Sequence, residues 1–348
     1  MTKTNLITGG CGFIGRNLIL RLLHTTDDRI IIVDNLISGE HPTLWLGMPM
    51  SSGFSDISFF GENQRVVFIQ QDALTFLSGF EADHSYLDRL CTAKIGLIHD
   101  FYHFAAIVGG RTTIDYHPMA VAKNMALDSV AFSWACNYKP QRMLYPSSSA
   151  AYPINLQSKH FNVALREDHI DFKNFGMPDN TYGWAKLSGE FLALKAVEQF
   201  GLHVSCIRPF SGYGESQTID YPISALALRA KNHENPFTVW GSGEQERDFI
   251  HIEDILDCID ILMQQRGDGK AVNIGTGRKT TFIEVINILS GFAGYTPHIM
   301  PLPEKPVGVF SRYADMSHTK KLLNWEPKIK LEVGLRRVFN SVREEAVA

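Results

Sequence analysis

The 348-residue chain is 45% hydrophobic and 20% charged, with a formal net charge of −4, values typical of a globular protein long enough for two domains or one large lobed one. Mixed charge along the sequence excludes a basic nucleic-acid footprint and a polybasic membrane anchor, and no apolar run approaches a bilayer span, so the expected compartment is the cytoplasm. The five cysteines (Cys11, Cys91, Cys136, Cys206 and Cys258) are scattered and read as reduced, buried small hydrophobes; neither they nor the histidines are expected to form a metal site.

Short β-branched runs alternate with longer helical patterns. Asn5 to Thr8 reads as a buried strand, Gly15 to His24 as the helix after it, and Arg29 to Asp34 as the next strand. The stretch from Ser38 to Gly61 is too long and too rich in Gly, Pro and Ser for a minimal turn and reads as an inserted loop. Then come strands at Val66 to Gln70 and Phe101 to Ala105, a helix at Met119 to Cys136, a strand at Arg142 to Pro146, a helix at Tyr182 to Phe200 and a strand at His203 to Arg208. That order predicts right-handed βαβ crossovers and an α/β fold, a Rossmann-type doubly wound parallel sheet. Beyond Tyr213 the alternation weakens, which predicts a smaller C-terminal α/β lobe.

The segment LITGGCGFIGRNLILRLL carries Gly10-x-Gly12-x-x-Gly15 between the first strand and an amphipathic helix. There glycines permit a tight turn, close approach of backbone to a pyrophosphate, and close helix-to-sheet packing. The run IIIVD then ends in Asp34, where a carboxylate can accept hydrogen bonds from both ribose hydroxyls of adenosine and would repel a 2′-phosphate. NAD is therefore favoured over NADP. Tyr182 and Lys186 stand at i and i+4 on a predicted helix face, where an ammonium favours the phenolate and makes tyrosine an acid/base near neutral pH. The serines of LYPSSSAAYP lie at the carboxyl end of a strand, where ligands gather in an open parallel sheet.

Taken in order, TGGCGFIG, IIVDNL, QQDA, YHFAA, PSSSAAY, YGWAK, IRPFSGYG, GSGEQERDFIHIEDI, VNIGTG and SRYADMSHTKKLLNWEPKIKLEVGL span essentially the whole chain. This set resembles an extended short-chain dehydrogenase/reductase of the NAD-dependent sugar-nucleotide epimerase/dehydratase family. The resemblance implies an NAD-binding Rossmann domain at 1–212 with a return segment at 250–275, and a nucleotide-sugar-binding lobe at 213–249 and 276–348. It implies a nucleoside-diphosphate sugar as substrate, cytoplasmic carbohydrate biosynthesis, and a homodimer built on the helices around Met119 to Cys136 and Tyr182 to Phe200. Carried over residue by residue, Gly9, Gly12 and Gly15 match the pyrophosphate loop, Asp34 the ribose partner and Asp72 the adenine contact. Phe104, Ala105 and Ala106 match the strand lining the cofactor, with Asn124 beside it. Phe13, Ile14, Asn35, Ala73 and Phe210 complete the implied cofactor site, to which Tyr182 and Lys186 also belong. Ser148, Tyr182 and Lys186 match the catalytic set, with Ser148 four positions before Tyr152. Ser148, Ser149 and Ser211 line the implied substrate site, with Arg247 and Arg312 clamping the diphosphate; Arg312 precedes Asp315 in RxxD spacing.

Subclasses of the family differ just after the catalytic hydroxyl. The 4,6-dehydratases resemble T-D-E there, decarboxylases carry a glutamate, and 3,5-epimerases and the fucose-type epimerase-reductases resemble S-x-C. Here the residues are Ser149 and Ala150, although Ala106 to Gly110 and Tyr152-Pro153 look like the last group. A further departure is Ser211, where the pattern usually has asparagine. Chemistry confined to one carbon needs no second acid/base, so the expected activity is a nucleotide-sugar 4-epimerase, the alternative a C4 dehydrogenase or 4-ketoreductase. Less favoured are 3,5-epimerase and 4,6-dehydratase chemistry, and least of all a non-catalytic NAD-sensing scaffold.

Overall fold

The computed structural model describes residues 2–83, 85–91 and 95–343, so the last five residues of the expected substrate lobe lie outside the described residues. At its centre is a nine-stranded sheet. Seven strands run parallel in the spatial order Asp268–Ile274, Val204–Pro209, Arg142–Pro146, Ile98–His103, Thr4–Thr8, Arg29–Asp34, Val66–Gln70. Runs such as RIIIVD and VVFIQ are continuously apolar because helices cover both faces of the sheet. On one face Ala73–Ala82, Pro118–Tyr138 and Asn180–Phe200 pack over Leu6, Ile31, Val67 and Phe101; on the other, Phe13–Thr25 and Ile252–Gln265 pack over Ile7, Ile32, Phe68 and Leu144. The order reverses between Thr4–Thr8 and Ile98–His103, and this switch point opens a crevice at the carboxyl ends of both strands.

Two expectations are corrected. Residues 38–61 are not simply a loop: Met50–Phe54 and Ile57–Phe60 form an antiparallel hairpin that extends the sheet from Val66–Gln70. Only the inner strand of that hairpin is buried, whereas every residue of the outer one is exposed, so the outer strand lacks the apolar alternation that marks a strand in sequence. The strand expected at Phe101 to Ala105 spans Ile98–His103 instead, because Asp100 is held at its start by Arg142 (Nε to Oδ1, 2.7 Å) and the chain leaves the ladder at Phe104 to border the crevice.

The remaining chain folds beside the carboxyl edge of the sheet. Helices Pro222–Lys231, Phe282–Ala293 and Leu331–Ser341 surround Tyr213, Phe237, Phe249 and Leu335, flanked by the parallel pair Phe237–Trp240 and Ile299–Leu302. A three-stranded ladder places Glu246–Arg247 between Thr280–Thr281 and Ser311–Arg312, with Arg247 and Arg312 in direct register. Among the described residues no helix is long and apolar enough to cross a membrane.

Candidate active site

The switch-point crevice is shaped by glycine. Gly9 has φ +67°, and a Cβ there would run into the backbone of Phe104 and Ala105; one on Gly15 would lie 2.6 Å from the Gly9 carbonyl. Gly12 opens helix Phe13–Thr25 with no side-chain cap and no acidic residue in the first turn, leaving its N–H groups directed at the crevice as an anion site. Ala in place of Gly9 should therefore strain the loop and lower NAD affinity at least about tenfold. Titration of the cofactor-free variant with NAD checks this, and wild-type affinity would mean the loop does not hold the cofactor.

Asp34 closes its strand beside the glycine loop. Its carboxylate accepts from the N–H of Cys11 (2.9 Å) and Leu36 (2.8 Å); burial pushes its pKa up, and these two bonds only partly offset that. Asp72 caps helix Ala73–Ala82 and accepts from Asn35 (3.2 Å). Ile14 packs against the sheet core and Phe13 approaches Gly214. Phe104, Ala105 and Ala106 run partly exposed from the end of Ile98–His103, and the buried Asn124 pins the next residue, Ile107, through both its N–H (2.7 Å) and its carbonyl (2.9 Å). Asn124 thus fixes the course of the chain just after Ala106. Phe210 packs instead in a small buried cluster with Tyr152, Leu165 and Ala314.

Strand Arg142–Pro146 delivers the three serines, which face in different directions. Ser147 is buried and its hydroxyl donates to the Glu190 carboxylate, so it anchors the strand end and does not line the pocket. Ser148 is partly exposed, and its Oγ accepts from Ala150 N at 3.1 Å as the cap of the short turn Ser149–Ala151, which buries Ser149. That turn docks on the start of helix Asn180–Phe200: Asp179 N donates to Ala150 O (3.0 Å), and Gly183 faces Ala150 where a side chain would clash. Tyr182 is thereby brought to the serine turn. One helical turn later, buried Lys186 donates to Pro146 O (2.9 Å), its Nζ lying 5.9 Å from the centre of the Tyr182 ring and 5.3 Å from that of Tyr145.

Two buried polar chains support this face. Thr8, His103, Asp128 and Tyr145 are linked at 2.8, 3.2 and 2.8 Å, with burial first and Asp128 second raising the Tyr145 phenol. Arg208 pairs with Glu190 at 2.6 and 2.8 Å and donates to Tyr152 (3.0 Å), which donates to Asn273 (2.7 Å).

On the substrate side, Arg247 and Arg312 face each other across the ladder, two like charges in register that an intervening anion would relieve. Arg247 donates to the carbonyls of Glu246 (2.8 Å) and Val307 (3.0 Å), and burial, then the Arg312 cation, pulls its pKa below the usual range. Arg312 donates to Gln157 (2.6 Å) and Asp179 (2.8 Å). Asp315 turns away to the Ser317 N–H (2.8 Å). Ser211 lies in the short strand Ser211–Tyr213, its N–H on Asp248 O.

Three residues at this site went unread in the sequence. Arg111 donates to Asp179 (3.0 Å) and Asp115 (2.7 Å). Burial raises the Asp179 carboxyl, but Arg312 and Arg111 outweigh it and hold the carboxyl below the usual range. Tyr221, entering from the C-terminal lobe, has its phenol pushed up to about 12 by burial and then by nearby Tyr182. No local spacing joins these segments; the available signal was the acidic residue just ahead of the tyrosine motif.

An uncharacterized UDP-glucose epimerase of Bacillus subtilis is 28% identical over 95% of this chain and 95% of its own length. A UDP-glucuronate 4-epimerase of Thermodesulfobacterium geofontis is 26% identical, covering 97% of this chain and 96% of that one. The crystal structure of a UDP-glucuronic acid 4-epimerase from Bacillus cereus, in complex with UDP-glucuronic acid and NAD, superposes with a TM-score of 0.78 at 25% identity, over 97% of this chain and 98% of that chain. UDP-glucuronic acid decarboxylases and a dTDP-glucose 4,6-dehydratase match as well, so kinship establishes the family and the NAD cofactor but not the reaction. The NAD dependent epimerase/dehydratase family model matches residues 5–275, and the chain belongs to that family.

Proposed function

We propose that the protein is an NAD-dependent nucleotide-sugar 4-epimerase, its nucleotide half being residues 1–212 with 250–275 and its sugar lobe 213–249 with 276–348. The observation that carries the reading is the turn after Ser148: Ser149 and Ala150 are buried against the catalytic helix and supply neither a carboxylate nor a thiol. Cys206, on the adjacent strand, is fully buried with its thiol pushed far up by that burial, so it is no substitute acid/base. Dehydration, decarboxylation and 3,5-epimerisation each call for such a group in the family's pattern; moving a hydride off and onto C4 does not.

In this reading Tyr182 takes the proton of the sugar 4-hydroxyl, Ser148 hydrogen-bonds the 4-oxygen, and Lys186, anchored on Pro146 O, places its ammonium beside the Tyr182 ring. NAD supplies the hydride acceptor and donor at C4. Arg247 and Arg312 clamp the diphosphate while the sugar turns to offer its other face. Helices Pro118–Tyr138 and Asn180–Phe200, with Met119 and Phe191 exposed, supply a surface for a homodimer. The test is NMR of sugar products with UDP-, GDP-, CDP- and dTDP-sugars, UDP-glucose and UDP-glucuronate first. The expected result is a C4 stereoisomer without net NADH. Stoichiometric NADH would favour the dehydrogenase, and a 4-keto-6-deoxy or decarboxylated sugar would overturn both.

A further inference from the structure

Asp179 stands at the N-cap of the helix that carries Tyr182, where a carboxylate ordinarily accepts the first free N–H groups. Its side chain makes no such bond; Asn180 Oδ1 takes the Thr181 N–H (2.7 Å) instead. The Asp179 carboxylate turns to Arg312 (2.8 Å) and Arg111 (3.0 Å), with only 9% of its side chain exposed. Its main chain holds two catalytic parts together, donating to Ala150 O (3.0 Å) and accepting from Gly183 N (2.8 Å). One residue thus joins Arg312 from the C-terminal part of the chain, Arg111 at the start of the short helix Arg111–Tyr116, the serine turn and the tyrosine helix.

We propose that Asp179 is a positioning residue that holds Arg312 and yields it to the diphosphate of the incoming nucleotide sugar, tying engagement of the clamp to the placement of Tyr182. This rests on the reading of Arg247 and Arg312 as the diphosphate clamp. A carboxylate beside that clamp competes with phosphate for Arg312, so its removal has opposite effects on binding and on turnover. A carboxylate that merely stabilised the fold would not produce that split.

The experiment titrates the NAD-loaded protein with UDP and with inorganic pyrophosphate, which tests the anion site without a base, and measures kcat and KM on the substrate found above. Asp179→Asn is expected to bind both probes about three- to tenfold more tightly, while kcat falls about tenfold or more as the tether to Arg111 and Arg312 is lost. Asp179→Ser, also a competent N-cap, repeats the test if the asparagine variant does not fold. Unchanged or weaker binding of both probes by the variants, with Arg312→Ala still abolishing binding in the parent, overturns the exchange and leaves the clamp standing. No binding of either probe by the unsubstituted protein overturns the clamp and the exchange with it.

Discussion

Tyr182→Phe is expected to lower kcat by about two to four orders of magnitude, the range general acid–base catalysis ordinarily contributes, with NAD binding essentially intact. The substitution removes one oxygen from a partly exposed ring in the first turn of helix Asn180–Phe200. The loss is chemical, because the glycine loop and Asp34 lie on other elements and the Lys186 anchor to Pro146 O does not use the phenol. Lys186 keeps its place in the variant: its buried ammonium lies beside the rings of both Tyr145 and Tyr182 and stays anchored on Pro146 O. Retained NAD is measured by releasing and quantifying it, turnover by NMR of the sugar. Turnover at the wild-type rate would remove Tyr182 from the chemistry.

What was legible in the sequence was whatever is encoded locally. The first strand, the glycine turn and Asp34 lie within 31 consecutive residues, each constrained by backbone geometry or by the period of its own element. The hairpin at 50–60 was illegible because the outer strand, MSSGF, is exposed throughout and its pairing comes from the edge of a sheet formed by other segments. Asp34 was legible as the carboxylate that ends its strand, but not as the acceptor that ties Cys11 to Leu36. Arg111 and Asp179 meet across 68 residues, and Arg312 joins them from 133 residues beyond Asp179. Spacing along a chain says nothing about such a meeting; only folding the second lobe against the sheet brings them together. Glu190 was closer to legible, standing one turn beyond Lys186, where a carboxylate in a buried register calls for a partner.

That partner is Arg208, and breaking the pair is expected to be strongly destabilising. The side chains of Arg208 and Glu190 are 4% and 2% exposed, and three of the Arg208 bonds, at 2.6, 2.8 and 3.0 Å, go to Glu190 and Tyr152. Burial lowers the guanidinium pKa, but the Glu190 carboxylate more than offsets this and holds it well above its usual range, so the buried cation is matched by a buried anion. Arg208→Met leaves Glu190 charged without its bidentate partner, and Glu190→Gln leaves Arg208 uncompensated; each should cost about 3–5 kcal/mol. The double variant should cost clearly less than the two singles added, because no unpaired charge remains. Urea unfolding followed by circular dichroism gives all three values, and additive losses would mean the pair is not coupled. Activity should follow in the glutamine variant even where it stays folded. Ser147 donates to Glu190, and the next residue is Ser148, so a loosened carboxylate shifts the strand end that carries Ser148, the hydroxyl proposed to bond the sugar 4-oxygen.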